Sequence, residues 1–246
     1  ARNAFVACDL AAAGIDGPRE IIEGEYGYLK LIEDGYDFGQ LLVNLGQDWQ
    51  ITKVAHKPFP SGRATHGIVD CCLELREKYR IPANKITSVV CDVPPLIHQL
   101  VGRLPNKNMT PNYARLCGPY TVARALIHGT VDVAHYRPEQ ISDNITHELA
   151  ARIEMPIDNN PDPNALTPVR VTINLQHGQS FTTERKFVLG NPNNPLGQTG
   201  HLEKFRNNCA SAQPTIISSQ VEELVQRTTN LEQENDVANL IDLLIA

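Results

Sequence analysis

The stretch HKPFPSGRATHGIVDCCLELREKY, His56 to Tyr79, contains the change of character on which the fold turns. Pro58 and Pro60 deny its first part a regular hydrogen-bond ladder. From Thr65 onward Ile68, Val69, Cys72, Leu73 and Leu75 recur at helical spacing, with Glu74, Arg76, Glu77 and Lys78 outside, so an amphipathic helix is predicted. Just upstream, the alternation of Trp49, Ile51 and Val54 in DWQITKVAHKPFP predicts a strand that the prolines stop. A domain boundary is expected there.

Working outward, KITSVVCDV reads as a buried strand ended by Pro94 and Pro95, and LIHQLVG as a short helix or turn. NYARLCGPYTVARALIHG predicts a longer helix that stops at Gly129, with Pro119 either kinking it or standing in a first turn. SDNITHELAARI is a further helix with Ser142 or Asp143 as its cap, and IDNNPDPNALTP is a proline-broken loop. VRVTINLQ and SFTTERKFVLG flank HGQ, which predicts a hairpin whose turn uses Gly178 at positive φ. In its first strand Val169, Val171, Ile173 and Leu175 alternate with Arg170, Thr172, Asn174 and Gln176, so one face is covered and the other polar. Helical character flanks this middle. ARNAFVACDLAAAGI resembles the interior of an Ala-rich helix ended by Gly14, short helices broken by Gly24 and Gly27 follow, and HLEKFRNNCA, SSQVEELVQRTTNL and NDVANLIDLLIA close the chain. The outline is an α+β region, residues 49–197, inserted between parts of one helical domain, residues 1–48 and 198–246.

Composition narrows the partners. The 246 residues carry 22 basic against 28 acidic side chains, a formal charge of -6, so the overall field repels a nucleic-acid backbone. No apolar run approaches the roughly 20 residues needed to span a bilayer, and no signal segment is visible, which predicts a cytoplasmic protein with no membrane partner. Six cysteines, Cys8, Cys71, Cys72, Cys91, Cys117 and Cys209, show no metal-ligand spacing and read as reduced core thiols.

Three landmarks, HKPFPSGRATHGIVDCCLEL, RLCGPYTVARALIHGTV and GNPNNPLGQTGHLEKFRNNCA, resemble in this order the C-terminal half of the MmgE/PrpD family. AAAGIDGPREIIEGEYGY resembles the segment that precedes the family's second domain, so the resemblance runs over essentially the whole chain. It implies an all-helical first domain and a smaller α+β domain with a mainly antiparallel sheet. It also implies chains about twice this length, a homodimer, and a missing N-terminal half that brings its own histidine, aspartate and lysine to the active site. The implied activity is that of a metal-independent lyase without cofactor on a small di- or tricarboxylate. Dehydration of a methylcitrate-like hydroxy acid leads, with epimerisation of an amino-dicarboxylate or decarboxylation of cis-aconitate as alternatives. A second reading, from another class, is a non-catalytic half that needs a partner half.

Such reactions move a proton at a carbon next to a carboxylate, so cations and N–H donors are the residues to seek. Lys57 and Arg63 flank the rigid turn, and His66 falls in the first turn of the following helix. Ser61, Gly62 and Thr65 offer backbone or hydroxyl donors, which makes the stretch a candidate anion cradle. The resemblance places His66 on the family's second-domain histidine, as acid/base or carboxylate donor, with Lys57 and Arg63 holding charge. Taken alone, those two cations read as solvated surface charges and His66 as a capping residue. His98 stands where some members place a substrate-facing tyrosine and is a second catalytic candidate. Arg115 and Tyr120, in the second landmark, are substrate-binding candidates, Tyr120 also reading as a core residue with a satisfied hydroxyl.

Overall fold

The computed structural model describes residues 2–32 and 35–244, and the chain divides into two units, Ala1–Thr52 and Lys53–Ala246. The first unit contains helices α1 (Arg2–Ala12), α2 (Tyr28–Ile32) and α3 (Phe38–Leu42). Asp37 caps α3, its carboxylate accepting from the Gly39 and Gln40 amides. No described apolar side chain in this unit is buried: Phe5 is 72% and Tyr26 88% exposed. The strand expected near Trp49 does not form. The Thr52 amide and hydroxyl both donate to the Trp49 carbonyl, at 3.0 and 2.8 Å, closing a 3-10 turn over Gln50–Lys53. Trp49 and Ile51 lie exposed, so their alternation marks no covered face.

The second unit begins with a 3-10 turn, Arg63–Thr65, that feeds α4 (His66–Tyr79). Next come β1 (Ile86–Asp92), α5 (Pro95–Val101), α6 (Pro111–Arg115), α7 (Gly118–His128), α8 (Pro138–Ile141) and α9 (Asn144–Ala150). They are followed by β2 (Ile153–Glu154), β3 (Val169–Leu175), β4 (Ser180–Arg185), α10 (Gly197–Ala210), α11 (Ser218–Thr229) and α12 (Ala238–Asp242). Pro119 sits in the first turn of α7, where its missing amide costs nothing, and Asp143 rather than Ser142 caps α9 by accepting from the Thr146 amide.

The strands form one sheet in the order β2-β1-β3-β4. β3 pairs antiparallel with β1 and β4, but β1 and β2 run parallel, with Val89 opposite Ile153. The sheet is therefore mixed, not the mainly antiparallel one expected. A parallel pair needs a long crossover, here α5 to α9, and a two-residue strand at its end is too short to show alternation. The hairpin does form: its turn, Gln176–Gly178, places His177 and Gly178 at φ 70° and 80°. Across it Thr172 meets Thr182 at 2.9 Å and Arg170 meets Glu184 on the polar face.

Helix α4 covers the other face. Ile68, Val69, Cys72 and Leu75, all within 1% of full burial, join Val89, Val171 and Ile173 in one core that α7 extends. Five of the cysteines are buried; Cys8 is exposed, which corrects its reading as a core thiol. Among the described residues no helix is long and apolar enough to cross a membrane.

One polar contact ties α4 to the chain beyond the sheet. The Asp70 carboxylate accepts from Arg185 Nε at 2.9 Å and from the Leu189 amide at 3.3 Å, and Arg185 also pairs with Glu74. The Asp70 side chain is only 13% exposed, so its charge relies on these donors. Replacing Arg185 with Met leaves that carboxylate underpaired and is expected to lower the unfolding free energy by about 2 kcal/mol. Urea denaturation checks this as a lower midpoint with an unchanged slope; an unmoved midpoint would show that the contact holds nothing.

Candidate functional site

The turn before α4 spends its own donors. The Gly62 amide donates to the Arg115 carbonyl at 2.8 Å, and the Thr65 amide and hydroxyl both donate to the Gly62 carbonyl. The Ser61 and Thr65 hydroxyls bond each other at 2.7 Å, with both residues buried. The Gly62 and Thr65 amides and the Ser61 and Thr65 hydroxyls of the expected cradle are thus engaged in internal bonds, and long side chains reach outward. Lys57 and Arg63 do so, both exposed.

His66 lies beneath them, 2% exposed, its ring edge-on to Phe59 and Nε2 3.2 Å from the Ser61 carbonyl. Burial lowers its pKa to about 4; the Ser61 carbonyl opposes that shift, while the charges of Lys57 and Arg63 add to it. At neutral pH His66 is uncharged, with Nε2–H assigned as donor to Ser61 by this bonding pattern. It contributes no positive charge of its own.

A second wall faces the turn. Beyond β4 the chain from Lys186 to Asn191 is held by Asp70 at Leu189, and by the His56 amide donating to the Gly190 carbonyl at 2.8 Å. Gly190 has φ +91°, and a Cβ there would come within 2.0 Å of the His56 carbonyl oxygen, so glycine is required. Between the walls lies a cleft of about 480 Å³ lined by Lys53, His56, Lys57, Arg63, His66 and Lys186 over an apolar floor that includes Leu166 and Val188. None of its lining residues is acidic. Lys57, Arg63 and Lys186 enter no ion pair among the described residues. Their fields therefore add over the cleft, in a chain whose net charge is -6.

Of the residues expected from sequence, Lys57, Arg63 and His66 come together here, and the others lie elsewhere. The Arg115 guanidinium stacks 5.5 Å from the Tyr136 ring centroid while its carbonyl supports the turn from behind. Tyr120 is fully buried, its hydroxyl donating to the His135 carbonyl at 2.7 Å and accepting from Arg124 at 3.1 Å, which is the core placement. His98 is half-buried, and its Nδ1 donates to the Met155 carbonyl at 2.6 Å, tethering α5 to the chain after β2. Lys53 and Lys186 join the cleft unannounced by any motif, and His56 joins it from the first position of the first landmark, where no role was expected of it.

Fold and cleft together define an α+β domain presenting a cationic cleft above a buried, neutral imidazole. Residues 59–231 match the MmgE/PrpD C-terminal domain. The chain belongs to the MmgE/PrpD family. It is 28% identical over 254 residues to the cis-aconitate decarboxylase of Homo sapiens, and 26% identical over 264 residues to that of Mus musculus. These alignments take in 99% of this chain and 51% and 50% of the relatives. A cis-aconitate decarboxylase-like protein, oryM, of Aspergillus oryzae is 22% identical over 261 residues, covering 99% of this chain and 53% of that protein. The chain spans about half the length of these curated relatives.

Two outcomes follow from the geometry. Gly190→Ala is expected to cost about 2 kcal/mol in unfolding free energy, through strain at positive φ and the clash with His56, measured by thermal unfolding as a drop of several degrees. A variant as stable as the parent would contradict the close approach of the Gly190 and His56 segments. For His66, the folded-state pKa lies below the unfolded 6.5, so the unfolded chain binds more protons between pH 6.5 and about 4, and stability falls as pH drops through that window. Between pH 7 and 4.5 the loss assignable to His66 is about 2 kcal/mol. The pH dependence of urea unfolding should therefore be shallower by that amount in His66→Asn, and an identical dependence would show that His66 titrates normally.

Proposed function

We propose that the Lys53–Ala246 unit binds a small di- or tricarboxylate in its cationic cleft, as part of a lyase that works at a carbon next to a carboxylate. The convergence of Lys57, Arg63 and Lys186 on one cleft without a lining carboxylate carries this reading. Loss of CO₂, loss of water and epimerisation at such a carbon share one difficulty. An electron pair is left on the carbon, delocalised into the neighbouring carboxylate, and negative charge builds on an already anionic substrate. Fixed cations stabilise that charge most where the surrounding wall is apolar and dry. Lys57 and Arg63 hold substrate carboxylates and offset the developing charge. His66, buried and bonded to Ser61, is a positioning residue that fixes the turn presenting them.

That the relatives are cis-aconitate decarboxylases favours decarboxylation of cis-aconitate within this chemistry, over the dehydration of a methylcitrate-like acid. Because the chain spans about half of those relatives, groups that move the proton are assigned to the part of the site it does not span. Retention of binding without turnover would fit the reading of this chain as a half-site.

Isothermal titration of the chain with tricarballylate, an unreactive tricarboxylate, tests the binding claim. Lys57→Gln and Arg63→Gln should each weaken affinity about tenfold, equivalent to about 1.4 kcal/mol. Absence of binding at millimolar ligand would overturn the proposal. Incubation with cis-aconitate and with 2-methylcitrate, followed by CO₂ release, alkene absorbance and solvent deuterium uptake, separates the reactions.

A further inference from the structure

We infer that Lys186 is a specificity residue that reads an additional carboxylate, selecting tricarboxylates over dicarboxylates; this rests on the polycarboxylate reading of the cleft. The two walls carry their cations differently. Lys57 and Arg63 both belong to the turn that leads into α4, so one wall offers two positive charges to a ligand lying along it. A dicarboxylate is satisfied by that pair. Its carboxylates, like those of any polyanion, repel each other and splay apart on their carbon skeleton, so a further carboxylate points away from the wall that holds the first two. Lys186 is the cation on the other wall.

Its mounting supports the assignment. The preceding residue, Arg185, is clamped to Asp70 and Glu74 on α4, and Leu189, three residues on, gives its amide to the same Asp70. Two residues of one short segment, Arg185 and Lys186, thus divide their work: the first turns to the helix and is neutralised there, the second lines the cleft and has no ion-pair partner among the described residues. A lysine on an unanchored loop would lose its preference to side-chain and backbone entropy when it bound. Here the backbone is ordered in advance by three bonds to α4 that do not involve the ligand. Lysine suits this place, because a compact ammonium on a flexible stem can follow a carboxylate whose position varies between acids.

The experiment compares tricarballylate with succinate by isothermal titration on the full 246-residue chain and its variants. Lys186→Gln is expected to weaken tricarballylate about tenfold and succinate less than twofold, whereas Lys57→Gln weakens both. Lys186→Arg, which keeps the charge, should retain most of the preference. Lys186 is exposed, and an unchanged urea midpoint for Lys186→Gln confirms that the comparison concerns the ligand and not the fold. An equal loss for the two acids, or no loss for either while the parent chain binds both, overturns the assignment of Lys186 and leaves the polycarboxylate site standing. Failure of the parent chain to bind either acid overturns the site and this inference together.

Discussion

The Asp70 carboxylate is the constraint on which the site depends. It lies one turn after His66 on α4, a helix fixed in place by its apolar face against β3. From there it gathers Arg185 and the Leu189 amide, so that the chain leaving β4 runs back beside the turn that enters α4. Core packing sets the helix, the helix sets Asp70, and Asp70 sets the second wall. The two walls of the cleft come from distant parts of the sequence and meet because Asp70 bonds to both a guanidinium and a main-chain amide, and because the His56 amide donates to the Gly190 carbonyl.

Charge is then sorted by location. Two arginines elsewhere in the second unit are spent on neighbours: exposed Arg206 forks onto Glu222 at 2.6 and 2.7 Å, and half-buried Arg227 onto Glu234 at 2.7 Å through each of two nitrogens. Such pairs cancel each other's field and contribute little at a solvated surface. In the cleft Lys57, Arg63 and Lys186 have no such partners among the described residues, and the buried imidazole stays neutral because adjacent positive charge and burial act in the same direction. An acidic protein thus keeps a locally positive surface without altering its net charge. Salt should weaken the proposed ligand capture there more than it weakens the fold, since the core is apolar and the Asp70–Arg185 pair is shielded from solvent.

Much of this architecture was legible in the sequence. The helical spacing of Ile68, Val69, Cys72 and Leu75, and the strict alternation of Val169, Val171 and Ile173, encode burial directly, so α4 and the hairpin could be read from them. β2 could not, because two residues have no period and their pairing with β1 is decided by a crossover of several helices. Trp49, Ile51 and Val54 misled for the opposite reason: they alternate like a strand but stay exposed around a turn. For the site, Lys57, Arg63 and His66 were visible because a single short turn carries all three. Tyr120 was readable as a core residue with a satisfied hydroxyl, and the structure places it so, whereas the stacking of Arg115 on Tyr136 is seen only in the packing. Lys186 was hidden because nothing local to ERKF says that Arg185 turns inward and its neighbour toward Lys57's cleft.

Under the proposed function this domain contributes held charge, with the imidazole supporting the turn and the cations as the groups that would touch ligand. A crystal structure of the chain grown with tricarballylate tests this most directly. The ligand is expected between the walls, with carboxylates in ion pairs to Lys57, Arg63 and Lys186 and with His66 still bonded to Ser61. A ligand bound outside the cleft, or one seated in it through His66 while the three cations remain solvated, would contradict it.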